Sequence, residues 1–337
     1  MSKSPERNPE AVLAEARTKG IHCLPIPTPF AVGRVNCYLV EGSRLVLIDA
    51  GPNSERSLEE LEAMIGTAGH AIEDIDLVIA THQHIDHIGL IQTVADRAGA
   101  EVAALDRSIE RLANFGLNAD AEDDMAVSLM LRHGISEEIA TTLKAVSSTY
   151  RGWGDRVEVT LPLAAGTTIE IGGMEMEIHH RPGHSPSDTI FFDPASGIAF
   201  GGDHLLSHIS SNPLIARPLD GEGERTRSLI DYTDSLLKTR EMEVEVMFSG
   251  HGDPVTGHRE LIDSRLAAQD RRREKIFGII EAGPISAYGI AEAIWGDVAV
   301  TQAYLTLSEV IGHVDVLLEE GRVREVTQGD LITFEAA

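Results

Sequence analysis

The stretch from Thr81 to Gly89, T-H-Q-H-I-D-H-I-G, constrains this chain more than any other. It holds His82, His84, Asp86 and His87 directly after an apolar run, Leu77-Val78-Ile79-Ala80, that reads as a short buried strand. Histidine seeks the surface or a partner, so core packing is a poor explanation for four chelating side chains at one strand end. Imidazoles and a carboxylate are ligands that suit zinc, with iron or manganese as other choices. In a turn leaving a strand, His82 and His84 can face one point while Asp86 and His87 reach a second. That is a two-metal arrangement. The bland alternative is a surface histidine cluster without a metal.

Three later motifs and one earlier motif extend the pattern. Pro182-Gly183-His184, Gly201-Gly202-Asp203 and Ser249-Gly250-His251-Gly252 each follow an apolar run, and Ile48-Asp49-Ala50-Gly51 precedes the histidine-rich turn. In this order the set resembles the metallo-β-lactamase superfamily, with its H-x-H-x-D-H signature, over about residues 20 to 260. The glyoxalase-II-like and β-lactamase-like-protein-2-like group is the nearest resemblance, through H-I-G-L after Asp86 and G-H-S-P around His184. The resemblance implies a four-layer αββα sandwich. It also implies that His82, His84 and His184 hold one divalent metal, that Asp86, His87 and His251 hold a second, and that Asp203 bridges them. Asp49 is expected to support the ligands from behind, and Asp86 and Asp203 to take part in catalysis.

Composition narrows the classes further. With 42% hydrophobic and 24% charged residues over 337 positions, the chain reads as a globular protein large enough for one domain plus a small module. No apolar run approaches the roughly eighteen residues of a membrane span. The polar start, Met1 to Glu10, lacks a signal-peptide pattern, so a cytoplasmic location is expected. A net charge of −26 repels phosphate backbones, which counts against a nucleic-acid partner and favours a small-molecule substrate. Cys23 and Cys37 read as buried free thiols.

Along the chain, strand and helix patterns alternate as in an α/β protein. Asn8 and Pro9 begin a helix, Gly42-Ser43 turns a hairpin, and Ser54 caps a helix to about Ala68. Residues 106–153 interrupt the alternation with three helical segments and are expected to form a cap over the metal site. Residues 1–259 then make the catalytic domain. Residues 260–337, three helices and two short strands, make a winged-helix-like module. That module carries seven Lys/Arg against fourteen Asp/Glu, and its third helix has no Lys or Arg, so packing or homodimer formation is expected rather than DNA contact.

The reaction implied is hydrolysis by a hydroxide bridging two metals, most simply zinc, with an ester, lactone or thioester carbonyl as target. A phosphodiesterase or ribonuclease of the same fold is the alternative; a β-lactamase or a di-iron redox protein ranks behind both. His204, His208, Asn212 and Arg217 follow Asp203 and are expected to reach substrate, with Asn212 and Arg217 placed to supply an oxyanion donor or a carboxylate clamp. His22, His70, His258 and His313 have no motif around them and read as solvated or capping residues.

Overall fold

The computed structural model describes residues 7–221 and 223–337. The first six residues of the polar start lie outside this range.

Two sheets form the centre. In the first, β1 (Ile21–Ile26), β2 (Val35–Val40), β3 (Val46–Ile48), β4 (Leu77–Ile79), β5 (Glu101–Leu105) and β6 (Leu161–Leu163) lie in chain order. In the second, β7 (Thr168–Ile171), β8 (Met174–His180), β9 (Thr189–Asp193), β10 (Ile198–Gly202) and β11 (Val246–Ser249) run in the order β11-β10-β9-β8-β7. Strand β6 is not anticipated from the sequence, because three residues containing Pro162 carry no alternation to read.

Period-two alternation gives each strand two apolar faces with different partners. Between the sheets, Tyr38, Val40, Ile48, Ile79, Met176, Ile178, Phe191, Phe200 and Phe248 make a common core. On the outer face of the first sheet, Leu47, Val78 and Val102 pack against Leu61, Ile65 and Val94 of helices Glu55–Thr67 and Ile91–Ala98. On the outer face of the second, Ile190 and Met247 meet Tyr232 and Leu236 of helix Ser228–Arg240. The result is the expected four-layer αββα sandwich.

Local signals agree with the helix ends. Asn8 Oδ1 accepts from the amides of Glu10 and Ala11, and Ser54 Oγ accepts from Ser57 N at 3.0 Å. The segment 106–153, called the cap after its expected role, contains helices Ile109–Ala113, Phe115–Arg132 and Glu137–Tyr150, the second starting seven residues before Glu122, where polarity alone suggests it.

Helices His258–Glu281, Ala287–Trp295 and Ala303–Glu319 and the hairpin Val323–Gln328/Leu331–Ala336 follow the sequence reading closely. Their packing is less expected. Leu129, Met130 and Ala140 of the cap share one apolar cluster with Ile276, Ile280, Leu307 and Phe334. His133, the C-terminal cap residue of helix Phe115–Arg132, stacks on Phe334 at 5.8 Å, and its carbonyl accepts from Tyr288 N. The C-terminal elements therefore brace the cap. Of the histidines read as solvated or capping, His313 and His258 are not solvated: both are buried, His313 inside Ala303–Glu319 and His258, first residue of its helix, against the Met242 carbonyl. Cys23 and Cys37 are free thiols as expected, Cys37 buried and Cys23 only half-buried. Among the described residues, no helix is long and apolar enough to cross a membrane.

Candidate metal centre

Parallel pairing of β3 with β4 and of β10 with β11 brings the carboxyl ends of these strands to one edge of the sandwich. Strand β8 ends there too, since β9 runs antiparallel to both β8 and β10. Asp49, His82, His184, Asp203 and His251 each follow the end of one of these strands within a few residues, so residues scattered over two hundred positions meet.

Three sets of ligand atoms gather within 4.8 Å: His82–His84–His184, His82–His87–Asp203, and Asp86–His87–His251. His84 Nδ1 lies 3.1 Å from His82 Nε2 and 2.9 Å from His184 Nε2. Asp203 reaches both halves, with Oδ2 3.6 Å from His184 Nε2 and 3.4 Å from His251 Nε2, and Oδ1 3.5 Å from His87 Nε2. Asp86 Oδ2 is 3.3 Å from His251 Nε2.

Hydrogen bonds behind the cluster decide which nitrogens face inward. His87 Nδ1 donates to Asp49 Oδ2 at 2.7 Å, His184 Nδ1 to the Asn212 carbonyl at 3.0 Å, and His251 Nδ1 to the Arg34 carbonyl at 2.7 Å. Thr81 Oγ1 donates to Asp49 Oδ2 at 2.8 Å and so accepts from His82 Nδ1 at 3.0 Å. With their outer nitrogens committed, the rings turn their other nitrogens toward one another. His87 Nε2 and Asp203 Oδ1, 3.5 Å apart, are buried without a close hydrogen-bond partner among the described residues. Such an arrangement is costly when empty and is relieved by cations. Tetrahedral zinc with nitrogen ligands sets neighbouring donors about 3.3 Å apart, close to the spacings seen here. The residues fit a pair of divalent metals.

Two glycines make the cradle tight. A Cβ on Gly250 would stand 2.3 Å from Asp203 Oδ1, and one on Gly202, at φ 48°, would stand 2.7 Å from Thr81 Oγ1. Asp49 is the one non-glycine residue with positive φ (57°) among the described residues. This costs on the order of 1 kcal/mol, offset by the hydrogen bonds to Thr81 N, Thr81 Oγ1 and His87.

Electrostatics follow from burial and neighbours. Burial disfavours the charged form of His82, holding it well below the usual histidine range, and brings His84 down to about 3. Burial acts the same way on His87, but Asp203 and Asp49 outweigh it and raise His87 well above that range. Burial would lift Asp203; the His87 and His251 imidazoles reverse this and hold it well below the usual carboxylate range.

The residues after Asp203 divide. His204 is a correction: it is fully buried behind the site, bonded through Nε2 to Thr239 Oγ1 at 2.9 Å and edge-on to Tyr232, and burial drops its pKa to about 3. The turn after β10 begins at Asp203, and the His204 side chain points to Thr239 and Tyr232 of helix Ser228–Arg240. His208 is exposed, with its ring against Gly252 beside His251. Asn212 meets the site through its backbone, and its side-chain Oδ1 is buried without a partner among the described residues. Arg217 Nη1 donates to Asn118 Oδ1 at 3.3 Å on the cap. Thr81 escapes sequence reasoning, although a hydroxyl residue directly before H-x-H is a usable signal. The backbone carbonyls of Arg34 and Asn212 leave none.

Residues 31–251 match the Metallo-beta-lactamase superfamily. The chain is 31% identical to "Probable metallo-hydrolase YqjP" of Bacillus subtilis, over 94% of this chain and 98% of that protein. It is 23% identical to "Beta-lactamase-like protein 2 homolog" of Drosophila melanogaster, covering 90% and 89%. "Acyl-coenzyme A thioesterase MBLAC2" of Homo sapiens is 28% identical over half of this chain and 58% of its own length. Among solved structures, the metallo-beta-lactamase family protein TTHA1429 from Thermus thermophilus superposes with a TM-score of 0.78 at 23% identity, covering 94% and 99%. With these matches and the His/Asp cluster, the chain belongs to the metallo-β-lactamase superfamily and is one of its metallo-hydrolases.

Proposed function

We propose that the protein is a binuclear metal-dependent hydrolase of ester, lactone or thioester carbonyls. The observation that carries this reading is the pair of half-sites, His82–His84–His184 and Asp86–His87–His251, spanned by the one carboxylate of Asp203. The nitrogen and oxygen donor set favours zinc. When bound, such metals supply Lewis acidity toward the substrate oxygen and acidify water from a pKa of about 15.7 toward 7.

The chain's own part is positioning and charge. Asp86 and Asp203 are both held below their ordinary range despite burial, so they stay ionised at neutral pH and present negative charge to a bound cation. Asp49, Thr81 and the carbonyls of Arg34 and Asn212 fix the rings, so the donors need not reorganise when charge develops. On the cap side, the Phe115 ring and Ile85 both crowd Gly154, and Phe30 packs on Tyr150 at 5.6 Å. These apolar groups suit an acyl chain. Arg217, whose guanidinium donates to the Asn118 side-chain amide oxygen, is our candidate for meeting a negatively charged part of the substrate.

The thioesterase named among the relatives supports a carbonyl substrate. The acidic surface weighs against RNA. The test is side-by-side hydrolysis of an acyl thioester, a lactone and an activated phosphodiester by zinc-reconstituted protein, with Asp203→Ala as control. Turnover of the carbonyl substrates alone is expected. Turnover of the phosphodiester alone contradicts the reading.

A further inference from the structure

A cleft of about 280 Å³ opens between helices Ser228–Arg240, His258–Glu281 and Ala303–Glu319 and the segment 210–213. No residue of the metal cluster lines it. Its wall nonetheless backs that cluster. The Asn212 carbonyl holds His184 Nδ1, and the neighbouring Ser211 hydroxyl donates to the backbone carbonyl of Asp203.

The cleft differs in charge from the rest of the molecule. In a chain of net charge −26 it is lined by Arg265 and Arg272 against the single carboxylate of Glu309, with Gln269 and Ser210 beside them. Glu309 is already shared: Arg272 Nε stands 3.7 Å away and the buried His313 Nε2 3.5 Å away, both beyond close hydrogen bonding. Arg272 lies over the Trp295 ring at 4.9 Å, and among the described residues the long contact with Glu309 is its one ion pair. Arg265 uses Nη2 on the carbonyls of Leu206 and Ile209, while its Nε is buried without a partner among the described residues. Two guanidinium groups lining one cleft suit recognition of paired oxygens on an oxyanion.

We propose that this cleft binds a small oxyanion, phosphate or carboxylate in chemistry, between Arg265, Arg272 and Gln269, and that its occupancy steadies the segment 210–212 behind His184 and Asp203. The site lies outside the metal cluster, and its binding stands whether or not the carbonyl-hydrolase reading does, because the deciding titration reads binding and turnover only separates the sources of the anion.

Calorimetric titration of inorganic phosphate into metal-loaded protein tests it, repeated on chelator-stripped protein and on the Arg272→Gln and Gln269→Leu variants. Saturable binding at one site is expected, weakened about tenfold or more in each variant by loss of a charged or amide donor, and retained after chelation. Two substitutions at separate positions guard against misfolding of either. Two sources of the anion are distinguished by kinetics. A free effector changes kcat at constant KM, whereas the charged tail of a substrate makes phosphate raise KM competitively. Absence of saturable binding, equal binding in Arg272→Gln, or loss of binding on chelation overturns the proposal; the last places the phosphate on the metals.

Discussion

Asp49 Oδ2 lies 2.7 Å from His87 Nδ1, with both side chains fully or nearly fully buried, and the same oxygen takes the Thr81 hydroxyl at 2.8 Å. One carboxylate thus orients His87 directly and His82 through Thr81. Removing such outer support costs about 10–100-fold in metal affinity in comparable sites. Asp49→Asn is therefore expected to weaken metal binding by about that factor, read by chelator competition. Thr81→Val should give a smaller loss, because His87 keeps its partner. Unchanged affinity in Asp49→Asn would remove Asp49 from the centre.

Metal binding should release protons at pH 7. His87 is held well above the usual histidine range by Asp203 and Asp49, against the opposing effect of burial, so the metal-free protein carries a proton there that a cation must displace. Affinity should rise with pH until the His87 pKa is passed. Calorimetry in buffers of different ionisation enthalpy measures the proton count; a heat independent of buffer contradicts the assignment.

The glycine at position 250 is a packing requirement. Its added Cβ would fall 2.3 Å from Asp203 Oδ1 and 2.7 Å from His87 Cε1. Gly250→Ala should lose metal and activity together. Gly66→Ala, inside helix Glu55–Thr67 with open space around it, should instead stabilise by about 0.5–1 kcal/mol. Denaturant unfolding and metal analysis of the two variants separate the effects.

His133 links acid sensitivity to the cap. Burial, with Arg225 and Arg132 adding repulsion, lowers its pKa from 6.5 to about 3. A depressed histidine contributes stability above its unfolded pKa and loses it as pH falls from about 6.5 toward 3. At pH 5 the loss is about 2 kcal/mol. Urea unfolding at pH 7 and pH 5 should show that much less acid sensitivity in His133→Gln than in the unsubstituted chain. Equal sensitivity contradicts the assignment.

The sandwich and the histidine cluster were legible because both are written locally. Strand alternation marks the sheets, and each chelating residue sits in a short turn motif at a strand end. Asp49 was readable for the same reason. Thr81 and the carbonyls of Arg34 and Asn212 were not, since their roles depend on how strands meet across the sandwich. His204 misled because closeness in sequence to Asp203 says nothing of direction when the chain turns at Asp203. The shared core of the cap and the C-terminal helices, through Leu129, Met130, Ile280 and Phe334, was equally hidden. Apolar periodicity identifies a buried face and leaves its partner unstated.

Metal stoichiometry by native mass spectrometry tests the binuclear centre most directly. Two zinc equivalents per chain are predicted, with one lost in His184→Ala, the other lost in His251→Ala, and both weakened in Asp203→Ala. A single equivalent in the unsubstituted chain, or one indifferent to His251→Ala, would contradict the two half-sites on which the account rests.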